Sequence, residues 1–310
     1  MSDSVQQLLA QVLEHAKRTQ RRRNSEASNQ VKLSCEKTGQ LPLWPESVRD
    51  VPNGLLRSAL FGVANSRHYL ERERLAAPDG IEIFYTGQRL DQDDLETYEN
   101  VLHVARLHKI GESCRVSSYA LLKLSGLSDS GKNRGTLVER LTRLRANAVE
   151  IRQGQHIYIG GLLDQAYKDE KTRGWIIALN PKLGSLFAPD QFTRIEWGIR
   201  HALKRKPLAQ WLYGFYASHA RPYPIKVETL RKLSGSETKR LDHFRENLRK
   251  ALDAISRTCG SFGEEFCYTI CVDRDLVHVT KAASASQRRH LAKKFTAAET
   301  KARRRFDINS

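Results

Sequence analysis

The chain has 310 residues, 40% of them hydrophobic, and its 52 Lys and Arg residues against 35 Asp and Glu give a net charge of +17. This length suits two ordinary domains plus tails, and the charge predicts a polyanionic partner, nucleic acid before an anionic membrane. The sequence has no run of about 18 apolar residues and no secretory signal pattern, so we expect a cytoplasmic protein without a membrane partner.

The first 50 residues are predicted to form a flexible N-terminal region. Apolar residues at helical spacing over 5–13 indicate a short amphipathic helix, or a transient helix without a partner. The polar stretch that follows has the composition of a linker, and its arginines at 21–23 either contact phosphate or are solvated.

The pentapeptide Gln40-Leu41-Pro42-Leu43-Trp44 is an apolar island in this region. A proline in its middle and another directly after it argue against a central strand and against a helix. We therefore expect its apolar side chains to be displayed for a partner instead of being buried in a core.

A series of predicted elements begins near residue 94. In chain order they are helices over 94–108, 116–126 and 131–148, a hairpin over 148–160 that turns at 153–154, and a strand over 174–180. The second helix is expected to begin after Ser117 or Ser118 as N-cap and to end at Gly126.

The same order recurs in the second half of the chain. The predicted elements there are helices over 206–220, 225–235 and 236–256 and a hairpin over 265–281 that turns at 273–275. Leu-Ser-Gly ends the second helix of both units. Three helices and a two-stranded wing make a winged-helix domain, whose third helix enters the major groove of DNA.

The predicted fold class is therefore α+β, with two tandem winged-helix domains. Their expected limits are 51–195 and 196–285, after the flexible region 1–50 and before a basic tail, 286–310. The tail either lies along phosphates or is a disordered solubilising segment.

Enzymatic alternatives have weak support in the sequence. The segment from Gly126 to Asn133 matches a GxxxxGK phosphate-binding loop, but it follows a predicted helix, and Asn133 replaces the magnesium-binding Ser or Thr. Cys267 and Cys271 lie four residues apart on a predicted strand, about 13 Å, too far to share one zinc. Five scattered cysteines argue against a disulfide framework. We expect no enzyme, no cofactor and no metal site.

The positive charge is concentrated in two segments, which favours a binding surface. Residues 200–250 hold thirteen Lys and Arg against four Asp and Glu, and residues 281–310 hold nine against two. On the third helix of the second unit, Lys239, Arg240 and His243 are predicted at the N-terminal half, where recognition helices contact bases. An exposed basic helix that reads no sequence is the alternative. The candidate DNA contacts of this unit are Ser236, Lys239, Arg240, His243, Arg249 and Lys250, with Arg274 in its wing.

The first unit offers a second set of candidates. Glu139 could accept a hydrogen bond from a cytosine amino group or could simply be solvated, whereas cations in the turn before the helix suit phosphates. Wing residues usually contact backbone or minor groove, although any exposed hairpin can carry such side chains. The candidates are Lys132, Asn133, Arg134, Thr136, Glu139, Thr142 and Arg143, with Arg152 and His156 in the predicted wing.

The segments "RSALF", "YLERERLA", "GIEIFYTGQRLDQDDLETYENVLHVAR" and "RLRANAVEI" resemble the TrfA family of plasmid replication initiators, over roughly residues 50–280. This resemblance implies a protein that binds direct repeats (iterons) of double-stranded DNA at a plasmid origin and helps to melt the adjacent AT-rich DNA. It also implies recruitment of host proteins, among them the sliding clamp, the host initiator and the replicative helicase.

The resemblance further implies a partner for the pentapeptide. Bacterial proteins that dock on the sliding clamp display a peptide similar to Gln-Leu-x-Leu-Phe, which Gln40, Leu41, Leu43 and Trp44 match with Trp in place of Phe. The alternative is that Leu43 and Trp44 pack on the first winged domain.

A winged-helix transcriptional repressor without a replication role is the competing function, and a scaffold without DNA specificity is a more distant one. The sequence leaves open whether a monomer or a homodimer is the working form.

Overall fold

The computed structural model describes residues 40–292, except 65, 154–155, 170, 173, 189–190 and 290. The predicted helix over 5–13, the arginine run at 21–23 and tail residues 293–310 lie outside the described residues. Within the described part of the chain, every helix is too short or too polar to cross a membrane.

The described chain opens with short elements for which the sequence analysis had no prediction. They are β1 (Val48–Pro52), α1 (Asn53–Leu56), β2 (Phe61–Gly62), β3 (Tyr69–Leu75), β4 (Ile81–Gln88) and β5 (Leu90–Asp91). Strands β3 and β4 form a hairpin and β2 pairs with β5, whereas β1 pairs with a strand later in the chain and β4 has a second partner there. They form much of the platform on which the first helical unit rests.

The first unit follows, with helices where periodicity predicted them. Its elements are α2 (Gln92–Ala105), β6 (Ser113–Ser117), α3 (Ser118–Leu124), α4 (Gly131–Arg145), β7 (Ala148–Gln153), β8 (His156–Gly160), β9 (Gln165–Asp169) and β10 (Gly174–Ala178). Ser117 caps α3 by accepting from the Ala120 backbone N–H at 3.1 Å. Gly126 lies just beyond α3 with a φ of 61°, a conformation that favours glycine.

The hairpin predicted as the first wing has a different position in the fold. The structure places β7–β8 in a four-stranded sheet of order β3-β4-β7-β8. It joins β4 because Ile83 and Ile151 are register partners on the buried face, as are Tyr85 and Val149. The hairpin that joins β6, the strand between the first two helices, is instead β9–β10, in the order β6-β10-β9. The wing assignment to 148–160 was therefore wrong.

A connecting region closes the first unit. It comprises a 3-10 helix (Pro181–Phe187), β11 (Phe192–Glu196) and α5 (Trp197–Ala202). Strand β11 runs antiparallel to β1, from the Val48↔Glu196 pair to the Pro52↔Phe192 pair. This pairing brings the strand before the first unit into contact with the segment that follows the unit.

The second unit repeats the topology of the first. Its elements are α6 (Pro207–Ala217), β12 (Ile225–Lys226), α7 (Val227–Leu233), α8 (Leu241–Ser261), β13 (Phe266–Cys271) and β14 (Leu276–Lys281). The sheet order β12-β14-β13 corresponds to β6-β10-β9. Gly235, with a φ of 63°, occupies the place that Gly126 has in the first unit.

Helix α8 begins five residues later than predicted. Ser236 Oγ accepts from the Thr238 backbone N–H at 3.3 Å, and this local bond competes with helix formation. Arg240 is the N-cap in extended conformation. Lys239 and Arg240 therefore lie in the turn before α8, not on the helix itself.

The two units share one hydrophobic core. Helix α6 buries Trp211, Leu212 and Phe215, and the Trp211 indole Nε1 donates to the Ser58 carbonyl at 3.1 Å. Leu208, near the start of α6, is only partly buried against this core. Because α6 packs on α2 as well as on α8, the second unit is seated on the first.

Candidate nucleic-acid interface

Helix α8 separates an apolar face from a polar one. Phe244, Leu248 and Leu252 are completely buried against the rest of the second unit. His243 and Arg249 lie on the opposite, exposed side. The basic side chains of His243 and Arg249 therefore point away from the core of the second unit.

The turn before α8 adds two cations to this surface. Lys239 is exposed and forms no ion pair with any described residue. Arg240 forms an ion pair with Asp242, Nη2 to Oδ2 at 2.5 Å, and this contact lowers the pKa of Asp242 to about 2. Lys239 is thus the better placed of the two to meet a phosphate or a base, while half-exposed Ser236 serves the turn itself.

The hairpin β13–β14 of the second unit is fixed to α8 by an ion pair. Arg245 Nη2 lies 2.9 Å from Asp275 Oδ1, and the Asp275 carbonyl accepts from the Val227 N–H at 3.0 Å. Arg274 is exposed at the tip of the hairpin beside this anchor. Lys250 is exposed too, but its ammonium contacts Glu246 Oε1 at 2.7 Å. Exposed basic side chains therefore lie on α8, in the turn before it and at the tip of the hairpin.

In the first unit, the turn cations are partly engaged by the turn. Arg134 makes two 2.6 Å bonds to Asp129, and these hydrogen bonds hold the pKa of that carboxyl below its ordinary value. Asn133 Nδ2 donates to the Ser128 carbonyl at 2.8 Å. Lys132 is exposed at the first turn of α4 and remains the freest cation of this group.

The exposed face of α4 differs from the prediction at one position. Glu139 and Thr142 are exposed, and Thr136 Oγ1 donates back to the Lys132 carbonyl at 3.2 Å. Arg143, however, turns toward α2 and lies 2.9 Å from Asp94 Oδ1, with only 10% of its side chain exposed. Its guanidinium balances a buried carboxyl whose pKa burial raises, so we remove it from the candidate interface.

The predicted wing residues of the first unit lie in the four-stranded sheet. Arg152 Nη2 contacts Glu150 Oε1 at 2.6 Å on the exposed face of that sheet. The side chain of His156 is outside the described residues. The hairpin that pairs with β6 is β9–β10, and Lys171 is exposed in its connecting loop. A polar loop between two strands was the available sequence signal for it.

The pentapeptide is not displayed. Leu41 and Trp44 are 3% and 4% exposed, whereas Leu43 is 50% exposed. The Trp44 indole Nε1 donates to His103 Nδ1 at 3.0 Å, and Arg106 Nε donates to the Trp44 carbonyl at 3.0 Å. The expectation of a displayed peptide was wrong, because the prolines exclude regular structure but leave side chains free to pack.

The carboxyl of Glu46 closes this contact from the solvent side. His103 Nε2 lies 2.6 Å from Glu46 Oε2, and Arg106 Nη2 lies 2.6 Å from Glu46 Oε1. Burial lowers the pKa of His103 to about 4, so the imidazole is neutral at neutral pH and accepts from Trp44. Gln40 joins the same arrangement by donating to the Arg106 carbonyl at 3.2 Å.

Neither the GxxxxGK segment nor the pair Cys267 and Cys271 lies in the arrangement that its suggested chemistry requires. Gly126 to Asn133 connects α3 to α4, so a helix precedes the segment where a phosphate-binding loop needs a strand. Cys267 and Cys271 lie on β13. Among the described residues, no group of three His, Cys, Asp or Glu side chains is arranged to hold a metal ion.

Comparison with known proteins places the chain in a family. A family model described as TrfA protein matches residues 2–281. The chain belongs to the TrfA family. The plasmid replication initiator protein TrfA of Escherichia coli is 31% identical over 247 residues, which cover 76% of this chain and 62% of that protein.

More distant relatives of this TrfA-family chain are replication proteins as well. Replication protein RepA of Salmonella typhi is 29% identical over 171 residues, 52% of this chain and 49% of that protein. RepFIB replication protein A of Escherichia coli is 31% identical over 174 residues, 52% of this chain and 53% of that protein. The chain spans less than two thirds of the length of each of these relatives.

Two solved structures share the fold. Domains 2 and 3 of RctB match with a TM-score of 0.53 at 14% identity, covering 75% of this chain and 98% of that one. The Pi initiator protein, solved in complex with iteron DNA, matches with a TM-score of 0.50 at 10% identity, covering 78% of this chain and 100% of that one. These matches show that the TrfA-family chain shares its fold with domains 2 and 3 of RctB and with the Pi initiator protein.

Proposed function

We propose that this protein is a plasmid replication initiator that binds direct repeats of double-stranded DNA through two tandem winged-helix domains. The observation that carries the proposal is the set of exposed basic residues on α8, in its preceding turn and at the tip of its hairpin, in a chain of the TrfA family. The fold shared with the Pi initiator, solved on iteron DNA, supports repeats as the ligand.

The recurrence of topology supports the winged-helix assignment. In both units a helix, a strand and two helices precede a hairpin that pairs with that strand, and the sheet orders are equivalent. In the first unit β7–β8 is inserted before this hairpin. We propose that α4 and α8 are the two recognition helices and that β9–β10 and β13–β14 are the wings. The domain limits remain proposals at 51–195 and 196–285, with β1 added to the first.

The proposed DNA contacts are those that the structure leaves exposed. In the second unit they are Lys239, Arg240, His243, Arg249, Lys250 and Arg274, and in the first unit Lys132, Glu139, Thr142 and Lys171. We also propose that the protein helps to melt AT-rich DNA, recruits the host initiator and helicase, and acts in the cytoplasm without catalysis. These roles rest on membership of the family alone. A repressor role is disfavoured, since the named relatives are replication proteins.

Recruitment of the sliding clamp stays a prediction. The burial of Trp44 argues against the pentapeptide as the segment that binds the clamp. A clamp pocket would take the same apolar side chains that α2 already holds. Binding would first require the segment to leave its own domain.

Binding to an origin repeat should be strongly salt-dependent. Each Lys or Arg that neutralises a phosphate releases counterions, so six contacts give a slope of about −5 in a plot of log affinity against log salt. Fluorescence anisotropy with a repeat duplex and a scrambled duplex of equal length measures the slope and the preference. A flat salt response, or equal affinity for both duplexes at every salt concentration, would rule out the proposed function.

Substitutions on α8 should separate base contacts from phosphate contacts. Lys239→Ala and His243→Ala should each lower the preference for the repeat over the scrambled duplex, since a lost base contact costs roughly 1–3 kcal/mol. Arg249→Ala, further along the helix, should weaken binding of both duplexes about equally. The same anisotropy titrations decide the matter. If all three variants lose affinity for both duplexes alike, α8 does not read sequence.

A further inference from the structure

The turn that leads into α8 is held by Arg89, which lies between β4 and β5. Arg89 Nη1 lies 2.7 Å from Glu237 Oε1, and Arg89 Nη2 donates to the Gly235 carbonyl at 2.6 Å. The Arg89 side chain is only 16% exposed, so these bonds are shielded from water on one side. A planar guanidinium that engages two acceptors at once fixes direction as well as distance.

Two residues that follow β2 reinforce this contact. The Val63 N–H donates to the Ser234 carbonyl at 3.0 Å, and Ser66 Oγ donates to Glu237. A Cβ built on Gly235 would lie 3.0 Å from Arg89 Nη2 and 3.2 Å from the Ala59 Cβ. The turn is therefore held closely from outside its own unit.

The equivalent turn of the first unit is also held from outside. Lys204, which follows α5, donates to the Ser125 carbonyl, and a Cβ on Gly126 would lie 2.5 Å from His201 Cε1. Both glycine turns that precede the proposed recognition helices thus contact chain segments beyond their own three helices.

We propose that Arg89 is a positioning residue for DNA reading: it holds the turn from Gly235 to Glu237 and so sets the position of Lys239 and the start of α8. The inference rests on the proposed function. Arg89 itself is occupied by two acceptors and does not contact the DNA. It also neutralises Glu237, whose carboxylate would otherwise face incoming phosphates two residues before Lys239.

The test compares Arg89→Ala with Arg89→Lys and with Arg74→Ala, which breaks an exposed ion pair with Glu82 elsewhere in the first unit. Hydrogen–deuterium exchange of amides 235–240 in the free protein should be about tenfold faster in Arg89→Ala, since a charged hydrogen-bond partner is lost. Arg89→Lys should be intermediate, because it keeps the charge but not the two-point contact. Arg74→Ala should match the wild type.

The second readout is the ratio of affinities for the repeat and scrambled duplexes. Arg89→Ala should lower it about tenfold, with little change in affinity for the scrambled duplex. Unchanged exchange in the turn, or faster exchange with an unchanged ratio, would overturn the inference. A wild type without preference for the repeat would defeat the proposed function and with it the reading role, and the exchange data would still decide whether Arg89 holds the turn.

A pair of glycine variants tests the same contact independently of charge. Gly235→Ala and Gly263→Ala both place a side chain at a left-handed φ, 63° and 73°. Only the first meets Arg89 and Ala59, because nothing lies within 4 Å of a Cβ at Gly263. Gly235→Ala should lower the affinity ratio, and Gly263→Ala should leave it unchanged. An equal effect of the two would contradict the role of the contact.

Discussion

Trp44→Ala should destabilise the protein by about 3–5 kcal/mol, the usual cost of truncating a buried Trp. The indole is 4% exposed, and its Nε1–H bond to His103 would be lost with it. In domains of 150–250 residues each kcal/mol corresponds to about 2–4 °C in Tm. Thermal unfolding followed by circular dichroism measures the shift.

Leu43→Ala is the matched control, since it truncates a neighbouring side chain that is 50% exposed. Its Tm should stay close to that of the wild type. Trp44→Phe should lie between, because it retains the ring but not the hydrogen-bond donor. A Trp44→Ala protein that melts with the wild type, combined with measurable clamp affinity that this substitution removes, would restore the displayed-peptide hypothesis.

Arg200→Met should destabilise the protein by about 3–5 kcal/mol, because it leaves a buried carboxylate without its partner. Arg200 on α5 is 1% exposed, and its Nε donates to Glu99 Oε2 on α2 at 2.6 Å. It also donates to the side chain of Gln92 at 3.3 Å and approaches the Gln210 carbonyl at 3.5 Å. One guanidinium thus connects α2 with both α5 and α6.

The pH dependence follows from the same pair. Burial raises the pKa of Glu99 to about 7 from its ordinary 4.5, even beside Arg200. A carboxyl whose folded pKa is raised favours folding at low pH, and that contribution is lost as the pH rises through the folded pKa. Without Arg200 the pKa rises further, so the deficit of Arg200→Met should shrink on acidification from about pH 8 to about pH 5.

A double variant provides the decisive comparison. Arg200→Met/Glu99→Leu removes both charges and should recover much of the lost stability, since an apolar pair of similar size can replace a buried ion pair. Lys250→Ala, at an exposed ion pair, should change urea unfolding little. A double variant no more stable than Arg200→Met alone would show that the pair is needed for reasons other than charge balance.

Local sequence signals were sufficient for the three helices of each unit, but not for the short helices α1 and α5. The apolar period of α8 predicted its buried face, and Ser117, Gly126 and Gly235 marked helix ends where the structure has them. These signals depend on residues three or four positions apart, which a single sequence displays directly. The start of α8 was misplaced because the Ser236 and Thr238 side chains stabilise a turn there.

Non-local pairing explains most of what was missed. Strand β3 exposes nearly every side chain and so lacks the alternation that predicts a strand. The Gln153-Gly154 turn predicted a real hairpin, but nothing in its sequence indicates that it pairs with β4 instead of β6. Arg143 was assigned to DNA from its angle on α4, and only the folded chain shows Asp94 facing it.

The pairing of β1 with β11 has a consequence for biosynthesis. Pro52 and Phe192 are register partners, so β1 leaves the ribosome long before its partner strand exists. At about 5–20 residues per second, 140 residues of separation correspond to roughly 7–28 s during which this strand is unpaired. The nascent chain must therefore keep a strand that is fully buried in the folded protein from misassociating for that interval. The first unit is completed only when translation has nearly reached the second.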